Sequence, residues 1–244
     1  AWATRRRLRC KKGGHYRYNP PMEELSTLQL VVVSIIPVLF AITMHEAAHG
    51  WMALRFGDPT AKMLGRLTFN PLPHIDPVGT VLVPIALLAI STLAGGSPFM
   101  IGWAKPVPVT TENLRNPRRD MAFVALAGPV SNFLMALFWA LMIRLGLELA
   151  ETAQSIGEFL IYSGQVGILI NAILLALNIL PLPPLDGSRV VSSLLPPRTA
   201  WSYNRLENFG FPILVLLLVA GILGKILYPI INLVWITVTK IVGL

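Results

Sequence analysis

Long stretches without a charged side chain constrain the fold of this chain more than any other feature. Each stretch has at least the roughly 20 residues that an α-helix needs to cross the hydrocarbon core of a bilayer. None shows the period-two alternation of a membrane β-barrel, so only helices can satisfy the backbone inside lipid. The five stretches are Leu25–Met44, Pro77–Ala104, Met121–Ile143, Phe159–Leu185, and Asn208–Thr239 with Lys225 inside it.

We therefore predict an all-α polytopic membrane protein, a helical bundle with about five hydrophobic segments. Only 13% of the 244 residues are charged, compared with about a quarter in ordinary soluble domains. No connection is long enough for a soluble domain, so we expect residues 22–244 to form a single transmembrane domain. The single cysteine, Cys10, excludes an intrachain disulfide and a cysteine-based metal site.

Residues 1–21 form a basic extension that we expect to be disordered. Seven of the 20 basic residues lie there with no acid among them, and they contribute strongly to the net charge of +8. No nucleic-acid-binding module follows this arm. We therefore expect it to contact the anionic head groups of the lipid bilayer, and we expect no nucleic-acid partner.

Two connections combine proline or glycine with residues that tolerate extended backbone. They are residues 57–79, with the apolar middle Met63–Phe69, and Gly102–Val109. Irregular backbone beside membrane helices is tolerated only where it is buried in protein or lines a wet cavity. Plain surface loops and a short re-entrant β-hairpin beside the site both remain open.

The motif His45-Glu46-Ala47-Ala48-His49 directly follows the first stretch. Residues four apart share one face of a helix, so His45 and His49 can present two imidazoles to one cation. Glu46 lies one step round the helix, where it can take a proton from water at the metal. Ionisable residues inside a span are costly and indicate function, although neighbours could simply satisfy a pair of helix-face histidines.

A catalytic zinc ion needs a third protein ligand. Asp186 stands out because Pro181, Pro183 and Pro184 precede it, and prolines cannot remain in a regular helix. We predict that this proline-broken span unwinds at membrane depth and delivers the Asp186 carboxylate to the ion. Alternatively, the prolines only end the helix and Asp186 caps the next one. The other acidic candidates near apolar stretches are Asp58, Asp76, Asp120 and Glu158.

Two asparagines are further candidates for the site. Asn178, at the start of the break, could donate to a substrate backbone or to a developing oxyanion, or it could bond a carbonyl of its own helix. Asn132 follows Gly128-Pro129, where small residues allow close helix approach. Its amide could serve as packing glue or could support a metal ligand from the second layer of residues.

These motifs resemble the site-2 protease family of intramembrane zinc metalloproteases. The resemblance covers about residues 30–195 and rests on the HEAAH motif, on Gly128-Pro129 with Asn132, and on the run from Asn178 to Leu185-Asp186-Gly187. It implies that His45, His49 and Asp186 bind one Zn²⁺ per chain and that Glu46 is the general base. The chain looks like the compact bacterial members, which lack an inserted PDZ-like domain.

The resemblance implies hydrolysis of peptide bonds within or near transmembrane segments, in regulated intramembrane proteolysis of single-span membrane protein substrates. We expect a multi-pass protein of the bacterial cytoplasmic membrane, and the sequence leaves its oligomeric state open. The alternative is a membrane divalent-metal transporter, since intramembrane histidines and carboxylates also mark ion pathways. Outside the motifs the stretches are nearly free of charge, which disfavours transport.

Overall fold

A computed structural model describes residues 25–83, 85, 86, 89 and 104–244, and in this part of the chain the regular structure is helical. The predicted basic extension, residues 1–21, and most of the stretch Pro77–Ala104 lie outside the described residues. The α-helices are α1 (Thr27–Arg55), α2 (Thr60–Met63), α3 (Pro117–Leu149), α4 (Gln154–Asn178), α5 (Asp186–Leu194), α6 (Pro197–Asn204), α7 (Glu207–Val219) and α8 (Ile222–Val242). Short 3₁₀ or π turns cover Leu72–His74, Pro77–Leu82 and Thr111–Asn113.

Four of these helices, α1, α3, α4 and α8, are long and apolar enough to cross a membrane. The shortest, α8, has 21 residues, which corresponds to about 30 Å of helix. Ser26 starts α1 with a capping box, in which its hydroxyl accepts from the Gln29 N–H and the Gln29 side chain accepts from the Ser26 N–H. The prediction of an all-α polytopic bundle is confirmed, and the chain is a multi-pass membrane protein.

The C-terminal apolar stretch differs from the prediction of one segment. Two helices, α7 and α8, replace it, and they meet at Gly221, whose backbone φ is +68°. This left-handed conformation is readily adopted by glycine and interrupts a right-handed helix. Helix α7 has 13 residues, or about 20 Å, so it is too short to cross a bilayer alone.

The core of the bundle lies between α3, α4 and α8. Trp139 of α3, Ile168 of α4 and Val238 of α8 are buried in one apolar cluster. Close contact between α3 and α4 depends on Gly167, where a Cβ would come within 2.2 Å of the Trp139 ring. Small residues permit this kind of approach between membrane helices. Helix α1 packs against the same α3–α4 pair.

The described residues contain no β-strand, so the alternative of a re-entrant hairpin is not found in this part of the chain. Residues 104–110 form no regular secondary structure, and proline explains why. Pro106 and Pro108 have no N–H, so one edge of this segment cannot form a regular ladder. The N–H between them, on Val107, donates to a side chain of α1 instead.

Asp58 joins this segment to the end of α1. Its buried carboxylate accepts from the N–H and the hydroxyl of Thr60, from the side-chain amide of Asn113 and from the N–H of Thr110. Burial alone would raise the pKa of Asp58, but these hydrogen bonds outweigh it and lower the pKa below its ordinary value. The loops on either side of residues 84–103 are therefore held together by one ionised carboxylate.

The predicted break before Asp186 is present. Helix α4 ends at Asn178, residues 179–185 are not helical, and α5 begins at Asp186. Gly187 allows the chain to fold back, because a Cβ there would lie 2.3 Å from the carbonyl oxygen of Ile179. The break thus carries the first turn of α5 against the end of α4.

Candidate metal centre

Two imidazoles of α1 meet on one face of the helix. His45 and His49 are one turn apart, both are buried, and their Nε2 atoms are 3.0 Å apart. The rings stand nearly perpendicular to each other, with an interplanar angle of 86°. The four-residue spacing in the sequence therefore places both side chains at one point, as the helix geometry predicts.

Asp186 brings a carboxylate to the same point from the other side of the break. Its Oδ2 lies 3.3 Å from the Nε2 of His45 and 3.3 Å from the Nε2 of His49. Among the described residues, these three form the one group of His, Cys, Asp and Glu side chains arranged to share a metal ion. The structure therefore brings together the three residues that the sequence suggests as ligands.

The hydrogen bonds of the imidazoles indicate which atoms face the centre. His45 Nδ1 lies 2.6 Å from Asn132 Oδ1, and His49 Nδ1 lies 2.7 Å from the carbonyl oxygen of Val124. Both partners are acceptors, so each neutral ring carries its proton on Nδ1 and leaves the Nε2 lone pair free. Two lone pairs and a carboxylate oxygen without a hydrogen-bond donor then converge, an arrangement that repels itself unless a cation lies between the three atoms.

This donor set fits zinc. Imidazole nitrogen and carboxylate oxygen are both zinc ligands, and catalytic zinc sites use three protein ligands and keep a fourth position open. The second nitrogen of a metal-binding histidine usually donates to a carbonyl or carboxylate oxygen. Both Nδ1 atoms have such an oxygen partner in α3.

A chain of buried amides supports His45 from behind. Asn132 accepts from His45 and donates through Nδ2 to Asn171 Oδ1, at 2.9 Å, while Asn171 Nδ2 donates to the carbonyl oxygen of Gly167. The sequence motifs predict a role for Asn132 but not for Asn171. An uncharged polar residue in the middle of the α4 span was the available signal, although its partner could not be read from the sequence.

Gly128 leaves room for the two histidines to approach α3. A Cβ at this position would lie 2.5 Å from His45 Cε1 and 2.5 Å from His49 Nε2. Real side chains do not pack this closely, so residue 128 must lack a Cβ for the rings to keep their places. The motif Gly128-Pro129 with Asn132 thus provides both the space and the hydrogen bond that position the imidazoles.

Glu46 is half-buried next to His45 in α1. Its Oε2 accepts a hydrogen bond of 2.7 Å from the N–H of Val107. The irregular segment around Val107 therefore fixes one carboxylate oxygen of Glu46. The HEAAH motif predicts Glu46 at the site, but nothing in the sequence identifies this backbone partner.

Asn178 bonds a carbonyl of its own helix, which is one of the two roles expected from the sequence. Its side-chain amide donates to the carbonyl oxygen of Leu174, one turn earlier in α4, at 3.0 Å. Asn178 also lines a cavity of about 140 Å³ that contains Asp186. A contact with substrate through this cavity remains a prediction.

The other acidic candidates have different surroundings. Asp58 holds together the loops beside α1, as described above. Asp76 accepts from the N–H groups of Val78 and Gly79. Asp120 accepts from the Asn116 N–H and pairs with Arg119 in the first turn of α3. Glu158 accepts from Gln154. None of these four belongs to the group formed by His45, His49 and Asp186.

Comparison with curated proteins identifies relatives along most of the chain. A Bacillus subtilis protein named "Putative zinc metalloprotease YwhC" is 36% identical over 210 residues, which cover 84% of this chain and 88% of that protein. This chain belongs to the site-2 protease family. The resemblance seen in the motifs is confirmed.

Two further relatives are also named as zinc metalloproteases. "Putative zinc metalloprotease Rip2" of Mycolicibacterium smegmatis is 30% identical, covering 82% of this chain and 72% of that protein. The protein of the same name from Mycobacterium tuberculosis is 26% identical, covering 83% and 73% respectively. No family model matches the chain. No solved structure matches it either.

Proposed function

We propose that this site-2 protease is an intramembrane zinc endopeptidase that hydrolyses peptide bonds within or near the transmembrane segments of membrane-anchored proteins. The names of the curated relatives support a zinc metalloprotease, and the four apolar helices support a membrane location. The observation that carries the proposal is the convergence of His45 Nε2, His49 Nε2 and Asp186 Oδ2 within 3.3 Å of one another.

The site would hold one Zn²⁺ per chain through His45, His49 and Asp186. Bound zinc would act as a Lewis acid on the scissile carbonyl and would make water more acidic. Asn132 and the Val124 carbonyl would keep both imidazoles in the tautomer that offers Nε2. In this proposal Asn132 positions a ligand and does not itself contact the reacting atoms.

Glu46 would be the general base. Its carboxylate takes a proton from the attacking water and passes it to the amine nitrogen as the C–N bond breaks. The Val107 N–H, bonded to Oε2, restrains the carboxylate and leaves Oε1 for the proton. This contact costs no reorganisation during the reaction, because the prolines on both sides of Val107 already limit its backbone.

The substrate would be a single-span membrane protein whose helix unwinds locally. A carbonyl inside a helix is shielded and hydrogen-bonded, so hydrolysis requires extended backbone. The non-helical residues 179–185 lie directly before Asp186, and their backbone groups could pair with such a segment. Asn178, which lines the cavity beside Asp186, is the side chain we assign to substrate contact. The compartment we propose is the bacterial cytoplasmic membrane.

The decisive test is cleavage of a single-span reporter by the Glu46→Gln protein in liposomes. We expect the variant to keep its zinc and lose cleavage, since it retains the three ligands and lacks the base. Glu112→Gln, an exposed acid in the loop before α3, is the matched control and should cleave normally. Retained cleavage by Glu46→Gln would exclude the proposed mechanism. Zinc flux across proteoliposomes without cleavage would favour the transporter.

A further inference from the structure

Two cavities lie end to end along the groove between α3 and α5. The inner cavity, about 140 Å³, contains Asp186 and the first turn of α5. The outer cavity, about 420 Å³, lies between the first turns of α3 and the end of α5, at Ser193 and Leu194. Leu126 lines both cavities. The groove therefore leads from the metal centre to the outer end of α5, with the Leu126 side chain between its two parts.

Both helices give the same length for this groove. Helix α5 contributes residues of one face, from Asp186 at the inner end to Leu194 at the outer end, which is about 12 Å along the axis. On α3, Arg119 lines the outer cavity and Gly128 touches the histidines, which gives about 13 Å. An extended peptide rises about 3.3 Å per residue and would cover this distance in about four residues.

The outer end of the groove is basic. Arg118 and Arg119 line it, next to the apolar side chains of Phe123 and Leu194. Arg118 supports the fold, because its guanidinium donates to the carbonyl oxygens of Ser193 and Leu195. The Arg119 side chain is 68% exposed, and its Nε lies 3.3 Å from Asp120. Two guanidinium groups against one carboxylate leave a net positive charge that can pair with an anionic group.

The inner end contains a backbone carbonyl that lacks its helical donor. Pro129 has no N–H, so the carbonyl of Ala125, four residues earlier in α3, lacks its regular donor within the helix. Both residues line the inner cavity. Ala125 is only 1% exposed, so this carbonyl adds no open acceptor, and the basic outer end is the feature that favours an acidic group. The inner cavity borders Asp186 at the candidate metal centre, where the proposed function requires a peptide bond, so the occupant that fits the whole groove is a peptide.

We propose that the α3–α5 groove binds the substrate in extended form and that Arg119 selects an acidic side chain about four residues from the cleaved bond. The inference rests on the proposed function and adds a substrate class to it: transmembrane segments flanked by Asp or Glu near the cut. Arg119 is a specificity-determining residue and takes no part in the chemical step.

The test uses single-span reporters with Asp, Asn or Lys at one position, placed four residues from the cut site that mass spectrometry maps for the wild-type protein. In neutral phosphatidylcholine vesicles, we expect the Asp reporter to have a KM about tenfold below that of the Lys reporter, with a similar kcat. Arg119→Gln should remove most of this difference. Arg115→Gln, an exposed arginine outside the groove, should preserve it.

A binding measurement keeps the test independent of turnover. A photo-crosslinking residue replaces Leu194 in the Glu46→Gln protein, and we expect crosslinks to the Asp reporter that Arg119→Gln weakens. Leu126→Trp should block the groove and reduce the crosslinks while leaving zinc content unchanged. Leu134→Trp, two turns along α3 and 59% exposed, is the control of equal bulk and should have no effect.

The outcomes separate this inference from the proposed function. If no reporter is cleaved, the protease assignment is overturned, and the crosslinks still show whether a peptide occupies the groove. Cleavage with equal KM for the Asp, Asn and Lys reporters would overturn the inference alone. Acceleration by anionic phosphatidylglycerol that Arg119→Gln abolishes, without any dependence on reporter charge, would assign the groove to lipid and would also overturn it.

Discussion

Asp58 and Asp186 are carboxylates in two regions of the molecule with opposite surroundings. Asp58 accepts four hydrogen bonds that tie together the loops beside α1. The Oδ2 of Asp186 has no hydrogen-bond donor and faces two imidazole nitrogens. A buried carboxylate supplied with donors stabilises the fold on its own, whereas one placed against lone pairs needs a cation. Surroundings, and not burial alone, distinguish Asp58, which supports the fold, from Asp186, the candidate metal ligand.

The strongest test of this difference between the two carboxylates is Asp186→Asn. We expect zinc affinity to fall by more than about 100-fold, beyond the effect of losing an outer hydrogen-bond partner. The reason is that the variant loses the anionic ligand while the two histidines remain. Zinc content after purification and competition with a chelator measure the change. Asp58→Asn is the matched control and should bind zinc as the wild type does; equal zinc binding by both variants would remove Asp186 from the ligand set.

Asn132→Ala tests the support behind His45. We expect zinc affinity to fall about 10- to 100-fold, because the imidazole loses the acceptor that fixes its tautomer. Asn171→Ala should have a smaller effect, since Asn171 acts through Asn132. Asn232→Ala, an exposed position in α8, controls for loss of an amide in a span. Unchanged zinc affinity in Asn132→Ala would reduce this amide to a packing role.

The sequence was sufficient for the three stretches that form α1, α3 and α4, and for the three candidate ligands, for a physical reason. Apolar length determines what can cross lipid, and the spacing of His45 and His49 on a helix leaves little freedom. The prolines before Asp186 also act locally, so the break was predictable. The contacts of Asn171 and of the Val107 N–H could not be predicted, because their partners are 39 and 61 residues away in the sequence. The division between α7 and α8 depends on the φ of Gly221, which hydropathy does not report.

Gly128→Ala tests how closely the candidate metal centre is packed. The added Cβ would overlap both imidazoles, and overpacking of this kind costs about 1–3 kcal/mol. Since the rings must move, we expect about tenfold weaker zinc binding. Gly224→Ala, where a Cβ meets nothing within 4 Å, should bind zinc normally. Normal zinc affinity in Gly128→Ala would show that α1 and α3 can separate without disturbing the ligands.

Asp58→Asn tests the role of the Asp58 carboxylate in the fold. It should lower the stability of the protein without changing zinc binding. An amide cannot accept from all four donors, so we expect the free energy of unfolding to fall by about 1–3 kcal/mol. The hydrogen bonds lower the pKa of Asp58 in the folded state. Its ionised form therefore stabilises the fold above the ordinary carboxyl range, and this contribution disappears as pH falls through the lowered pKa. Thermal unfolding in detergent micelles should show a constant difference from wild type between about pH 5 and 8 that shrinks below about pH 4. A difference independent of pH would mean that the charge of Asp58 contributes nothing and that only its shape matters.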